Sequence, residues 1–391
     1  MPDRKVGNPA HRGWAATLEG RGGDRVRAMS APNIRRAVQL LPACATTGIG
    51  SLPHTQVELG LQAALALDIP FLPQLPVGKP SELMIPAALE GLPGLAFDEE
   101  GLCTVDLAAW QAGRAAFEAR LEAAFQSGQF EAFEPSPEAC RAWRPFLWEV
   151  EARKLAFAKA QLAGPFTVRS VARTTDGQPA LEVPGLDEAM YRLSLARSLA
   201  MVKALRRAGT TPLFYLDEPG LYALQRTNPR HLIAMQELKL LVVALQREGA
   251  LVGLHCCGNT DWAALLDVQP DLLSLDVRLS LDAMVEAGAA LERFLAAGAT
   301  LSLGIIPTDL ASTYEVGELV DSVEATLKAA LPAGFTFAQV VSTVVLTPAC
   351  GLAMRSVIDA ERILEELKVA QRRLRSALSA ERPSVDTVNP H

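Results

Sequence analysis

Residues 231–277, HLIAMQELKLLVVALQREGALVGLHCCGNTDWAALLDVQPDLLSLDV, decide the fold. The first nineteen carry apolar residues at three- and four-residue spacing and read as an amphipathic helix that stops at Gly249. ALVGLHCC follows as a nearly continuous apolar run, TDWAALLDV as a short helix, and DLLSLDV as a second apolar run. Such strands, apolar on both faces and separated by helices, belong to a parallel sheet covered on its outer side.

The unit recurs on both sides. The helix LDEAMYRLSLARSLAMVKALRRAG (186–209) leads to the strand PLFYLDEPG (212–220), and LDAMVEAGAALERFLAAG (281–298) leads to TLSLGIIPT (300–308). EVGELVDSVEATLKAAL (315–331) leads to VVSTVVLTPACG (340–351), and SVIDAERILEELKVAQRRLRSAL (356–378) is a last helix. With TTGIGS (46–51), IPFLPQ (69–74) and AKAQLAGPFTV (158–168), eight strands are expected. The expected fold is α/β, a (β/α)8 TIM barrel, with a doubly wound sheet as the alternative. The interval from about 91 to 148, with the hairpin-like GLAFDEEGLCTVDLAAW (94–110), is an insertion in an early βα loop. TQVELGLQAALAL (55–67) reads as the first helix, opened by a capping box of Thr55 and Glu58.

The remaining organisation is simple. Residues 1–43 read as a flexible N-terminal extension, with Met29 a possible natural start; 44–380 form the single barrel, and 381–391 a polar tail. Half the 391 residues are apolar, enough for a large core, and the net charge of −7 is mixed in sign throughout. These features exclude a basic nucleic-acid face and a membrane span, and with no secretory signal they point to the cytoplasm. Six cysteines in a chain of this length are not a disulfide framework, so clustered ones deserve a chemical reading.

In a barrel the chemistry lies at the C-terminal strand ends. GIGSLPH, YLDEPG, LHCCGN, SLDV, GIIPT and TPACG all end there in polar, Gly- or Pro-containing tips. Side chains alternate along a strand, so His255 and Cys257 share one side and Cys256 takes the other. His255 and Cys257 offer two soft donors of the kind zinc takes; Cys350 on the last tip is a third candidate, and the Asp276 carboxylate a fourth. The alternative for any single cysteine is a small buried hydrophobe, the reading adopted for Cys44, Cys103, Cys140 and Cys256.

The motifs resemble a family. TTGIGSLPHT, AGPFTV, YLDEPGL, LHCCGN, LDV and TPACGL, in that order between Thr46 and Arg355, are similar to the strand-tip motifs of cobalamin-independent methionine synthases. The resemblance implies Zn2+ held by His255, Cys257, Asp276 and Cys350, with Asp276 standing where the family has Glu. It implies that Gly50 and Ser51 hold the carboxylate end of a small thiol substrate, homocysteine, and that Asp217 pairs with its amino group. Glu218 alternates away and reads as structural. Thr308 and Asp309 are expected to line the donor side, completing a catalytic set with Asp217.

The chain also departs from the family pattern. Val171 stands near where the folate-dependent members have Trp, YALQR follows DEPGL without their acidic residue, and IIPTDLAS lacks their His. The expected function is therefore zinc-dependent transfer of a methyl group to a thiol, giving methionine, from a corrinoid donor such as a methylcobalamin protein rather than folate. A metal-free decarboxylase of the related uroporphyrinogen type and a non-catalytic zinc-bearing accessory of a corrinoid system are the alternatives.

Overall fold

The computed structural model describes residues 38–309 and 313–381. The expectations placed on Met29, most of the N-terminal extension and the C-terminal tail lie outside them. Seven strands pair in parallel: β1 (Ala45–Thr46), β4 (Phe157–Ala163), β6 (Thr211–Asp217), β7 (Leu251–Cys256), β8 (Leu272–Asp276), β9 (Thr300–Ile306) and β10 (Val345–Pro348), in the order β1-β10-β9-β8-β7-β6-β4. The sheet curls as in a TIM-like barrel, with thirteen α-helices among the described residues.

The eighth strand is a correction. IPFLPQ forms no ladder; Phe71 bridges only Lys159, and Gln74 only Ser51. The Ile69 N–H donates to Thr46 O (3.0 Å) and the Leu72 N–H to Lys159 O (2.8 Å), so the segment touches both free edges without continuing either. Pro70 and Pro73 have no N–H to offer, which limits the segment to isolated bonds. AKAQLAGPFTV is likewise split: the strand ends at Ala163 and Pro165 opens a helix, Pro165–Val171. The first helix is Val57–Leu65, with Gln56 as its N-cap and no capping side chain, so the Thr55 capping box is not formed.

Between the helix Met84–Leu89 and β4, β2 (Leu95–Phe97) and β3 (Cys103–Val105) form an antiparallel hairpin; β5 (Arg173–Thr174) joins it in a small sheet. Strand alternation divides the large core in two. Leu213, Tyr215, Leu251, Leu272 and Val345 point inward and join Val38, Leu41, Ala45 and Ile69 in an apolar plug. Their neighbours Phe214, Leu216, Val252, Leu254, Leu273 and Leu275 pack outward against the helices. The side chains that carry chemistry continue the inward row, nearer the C-terminal ends.

Candidate functional site

Strand register builds the site. Asp217 is opposite His255, and His255 is opposite Ser274, so the three stand side by side on β6, β7 and β8 with the same inward parity as the plug. His255 is buried, and its Nδ1 lies 2.9 Å from the Ser274 hydroxyl, which fixes the ring. Cys257 follows the end of β7, and Cys350 lies two residues beyond β10. Gly304 lets these tips approach: a Cβ there would stand 2.7 Å from Leu275 O and 2.8 Å from the Ala349 Cα. Cys256 takes the opposite side, fully buried, where burial raises its thiol to about 11.

Cys257 and Cys350 stand close enough for each thiol to act on the other, and His255 acts on Cys350 as well. Cys257, followed by His255, draws Cys350 below the ordinary thiol range, while Cys350 and burial raise Cys257. Asp276 ends β8 nearby, within electrostatic reach of Cys350. Its Oδ1 accepts from the N–H groups of Arg278 (2.9 Å) and Leu279 (3.4 Å), capping the helix Val277–Val285. Burial raises its carboxyl above the usual range.

Two thiols and an imidazole carried on neighbouring strand tips are the donor chemistry of a zinc-type cation. Among the described residues, no three His, Cys, Asp or Glu side chains are grouped as a metal ion would need them.

Asp217 occupies the wall beneath. It is 8% exposed, and its Oδ1 has no hydrogen-bond partner, an arrangement that points to a polar ligand group. Burial raises its carboxyl to about 6, against the attraction of Lys159 and His255. The folded protein therefore holds this proton more tightly than the unfolded chain does. That contribution to stability is complete below about pH 4 and is lost as pH rises through about 6. Asp217→Asn should stabilise the protein at pH 8 by roughly 1–3 kcal/mol and change little at pH 4. Urea unfolding at the two pH values checks this; an equal effect at both would exclude a strained carboxylate.

Gly50 and Ser51 form the first tip. Gly50 has φ +154°, and a Cβ there would stand 2.5 Å from Gln161 Nε2; the Ser51 carbonyl accepts from Leu352 N (2.9 Å), tying this tip to the one bearing Cys350. Thr308 is half-buried and Asp309 exposed, its Oδ2 3.5 Å from Arg278 Nη1. These two border a separate cavity of about 340 Å³ that also includes Tyr314, Arg355 and Glu366. A cavity of about 620 Å³ between the helices Val57–Leu65 and Trp143–Arg153 contains none of the candidate residues.

Glu218 accepts from Phe166 N (3.0 Å), Thr167 N (2.7 Å) and Thr167 Oγ1 (2.6 Å), capping the helix that Pro165 opens. Sequence reasoning overlooked Lys159 and Gln161. A lysine in the apolar run FAKAQLA was the available signal, because alternation sends residues 159, 161 and 163 to the same side.

No protein-family model matches the chain, and no curated protein is similar to it. Among solved structures it is similar to a methyltransferase from Methanosarcina mazei, with a TM-score of 0.52 and 16% identity over 88% of this chain and 99% of that one. It is also similar to a B12-independent methionine synthase from Shewanella sp. W3-18-1 in complex with selenomethionine, with a TM-score of 0.45 and 14% identity over 60% of this chain and 68% of that one. The first likeness spans nearly the whole chain, and what it shows is a shared fold.

Proposed function

We propose that this protein is a methyltransferase that moves a methyl group to the sulfur of a small thiol, with homocysteine as acceptor and a corrinoid as donor. The observation that carries the reading is the meeting of Cys350 with Cys257 and His255 from separate strand tips, above an unpartnered buried carboxylate. His255, Cys257 and Cys350 would hold zinc, with Asp276 as a further ligand. Bound there, zinc supplies ionisation of a thiol that is mostly protonated at neutral pH.

The remaining roles belong to the chain's own side chains. Ser274 holds the His255 ring in place. Asp217 takes the substrate ammonium on its free oxygen, Gly50 and Ser51 receive its carboxylate, and Thr308 and Asp309 flank the donor's approach. Val171 and the IIPTDLAS segment lack the folate-side residues of the methionine synthases, which favours the corrinoid donor.

The test is a side-by-side assay of purified protein with homocysteine and either methylcobalamin or methyltetrahydrofolate, combined with metal analysis. Methionine from methylcobalamin alone, with about one zinc per chain, is expected. Zinc without turnover would favour an accessory role, and no zinc with unaltered metal content in Cys350→Ala would overturn the proposal.

A further inference from the structure

The inward wall holds a buried cation as well as a buried anion. Lys159, on β4, is 1% exposed; its Nζ donates to Ile49 O (2.6 Å) and Gln161 Oε1 (3.0 Å) and lies 4.7 Å from the centroid of the Tyr215 ring. Gln161 in turn donates to Leu72 O (2.9 Å) and stands against Gly50. Burial lowers the lysine to about 8, opposed by the attraction of Asp217. Keeping a long charged side chain inside an apolar sheet is costly, and no surface ion pair explains it. Its bonds go to the peptide that leads into the Gly50–Ser51 turn, and its charge faces Asp217 from the neighbouring strand, where Gln161 pairs with Tyr215 and Ala163 with Asp217.

We infer that Lys159 is a positioning residue for the acidic end of the substrate: it pins the Ile49 carbonyl, which fixes the Gly50–Ser51 turn, and with Asp217 gives the pocket floor a positive and a negative pole that together select a zwitterionic thiol. This rests on the proposed function and adds to it the determinant of substrate class. Both poles lie in a low-dielectric interior, where a fixed charge discriminates more strongly than in water.

Binding of L-homocysteine and of 3-aminopropane-1-thiol, the same thiol without the carboxylate, is measured by calorimetry on the wild type and Lys159→Met, with thermal unfolding as the control for folding. The wild type should prefer homocysteine, and Lys159→Met should weaken homocysteine by at least about thirtyfold while changing the amine thiol by less than about threefold, the size of an interaction with one charged group. Lys159→Gln removes the charge while keeping a hydrogen-bond donor on the side chain; it should give the same selective loss and decides the matter if Lys159→Met does not fold. Equal weakening of both thiols, or none, overturns the role of Lys159 and leaves the proposed function standing. A wild type that binds neither thiol overturns both.

Discussion

Cys350→Ala is expected to reduce methyl transfer to homocysteine by about three powers of ten, equivalent to about 4 kcal/mol of activation free energy. Cys350 touches both Cys257 and His255, so its removal dismantles the donor set at its centre. It is only half-buried on a strand tip, so the cost in stability should be about 1 kcal/mol or less. Bound zinc should fall with the activity. Cys256→Ala is the matched control: that thiol points to the helix layer, and its loss should change the rate by less than about threefold. Retention of more than a tenth of wild-type activity by Cys350→Ala would exclude it from the centre.

The second large effect concerns stability. Glu218→Ala removes the acceptor of three buried hydrogen bonds from Phe166 and Thr167, and Thr167 Oγ1 in turn accepts from Gly220 N (3.0 Å). Truncation leaves two backbone donors and a hydroxyl buried without partners, at about 3–5 kcal/mol in total. The helix Pro165–Val171 is otherwise held by Arg169, whose Nη1 pairs with Glu237 at 2.6 Å in the interior. Urea unfolding of Glu218→Ala should show the full loss, and Glu218→Gln, which keeps acceptor capacity at one oxygen, should recover part of it. A loss below 1 kcal/mol would mean that water reaches these donors.

Most strands and helices from 186 to 378 were legible because each carries a long apolar period of its own, but 281–298 falls in two helices, Val277–Val285 and Ala289–Ala296, and the start of VVSTVVLTPACG belongs to the helix Phe337–Val341. The two early strands were not. TTGIGS and IPFLPQ have strand-like apolar residues, but pairing depends on N–H groups that Pro70 and Pro73 lack, and only Ala45–Thr46 is laddered. The inward parity of His255 could be read from alternation alone, as could that of Asp217. That Cys350 meets Cys257 depends on strand order and on the absence of a side chain at Gly304, neither of which spacing reveals. Asp276 illustrates a different limit: one carboxylate serves as a helix cap and stands near the thiols, and the sequence marks both possibilities without ranking them. Lys159 was readable in principle, yet its meaning comes from the Ile49 carbonyl 110 positions away.

The plug of Leu213, Leu251, Leu272, Val345 and Ile69 has a consequence for the order of events. Each of these side chains is at most 1% exposed, so packed side chains fill the N-terminal end of the curled sheet. On the proposed reaction, acceptor, donor and product would share the opening at the strand tips. Traffic would then be sequential: a thiol on the floor would leave before the next could enter, and a donor over the mouth would block both. Excess thiol and excess donor should each slow turnover, a kinetic signature imposed by five aliphatic side chains that take no part in the chemistry.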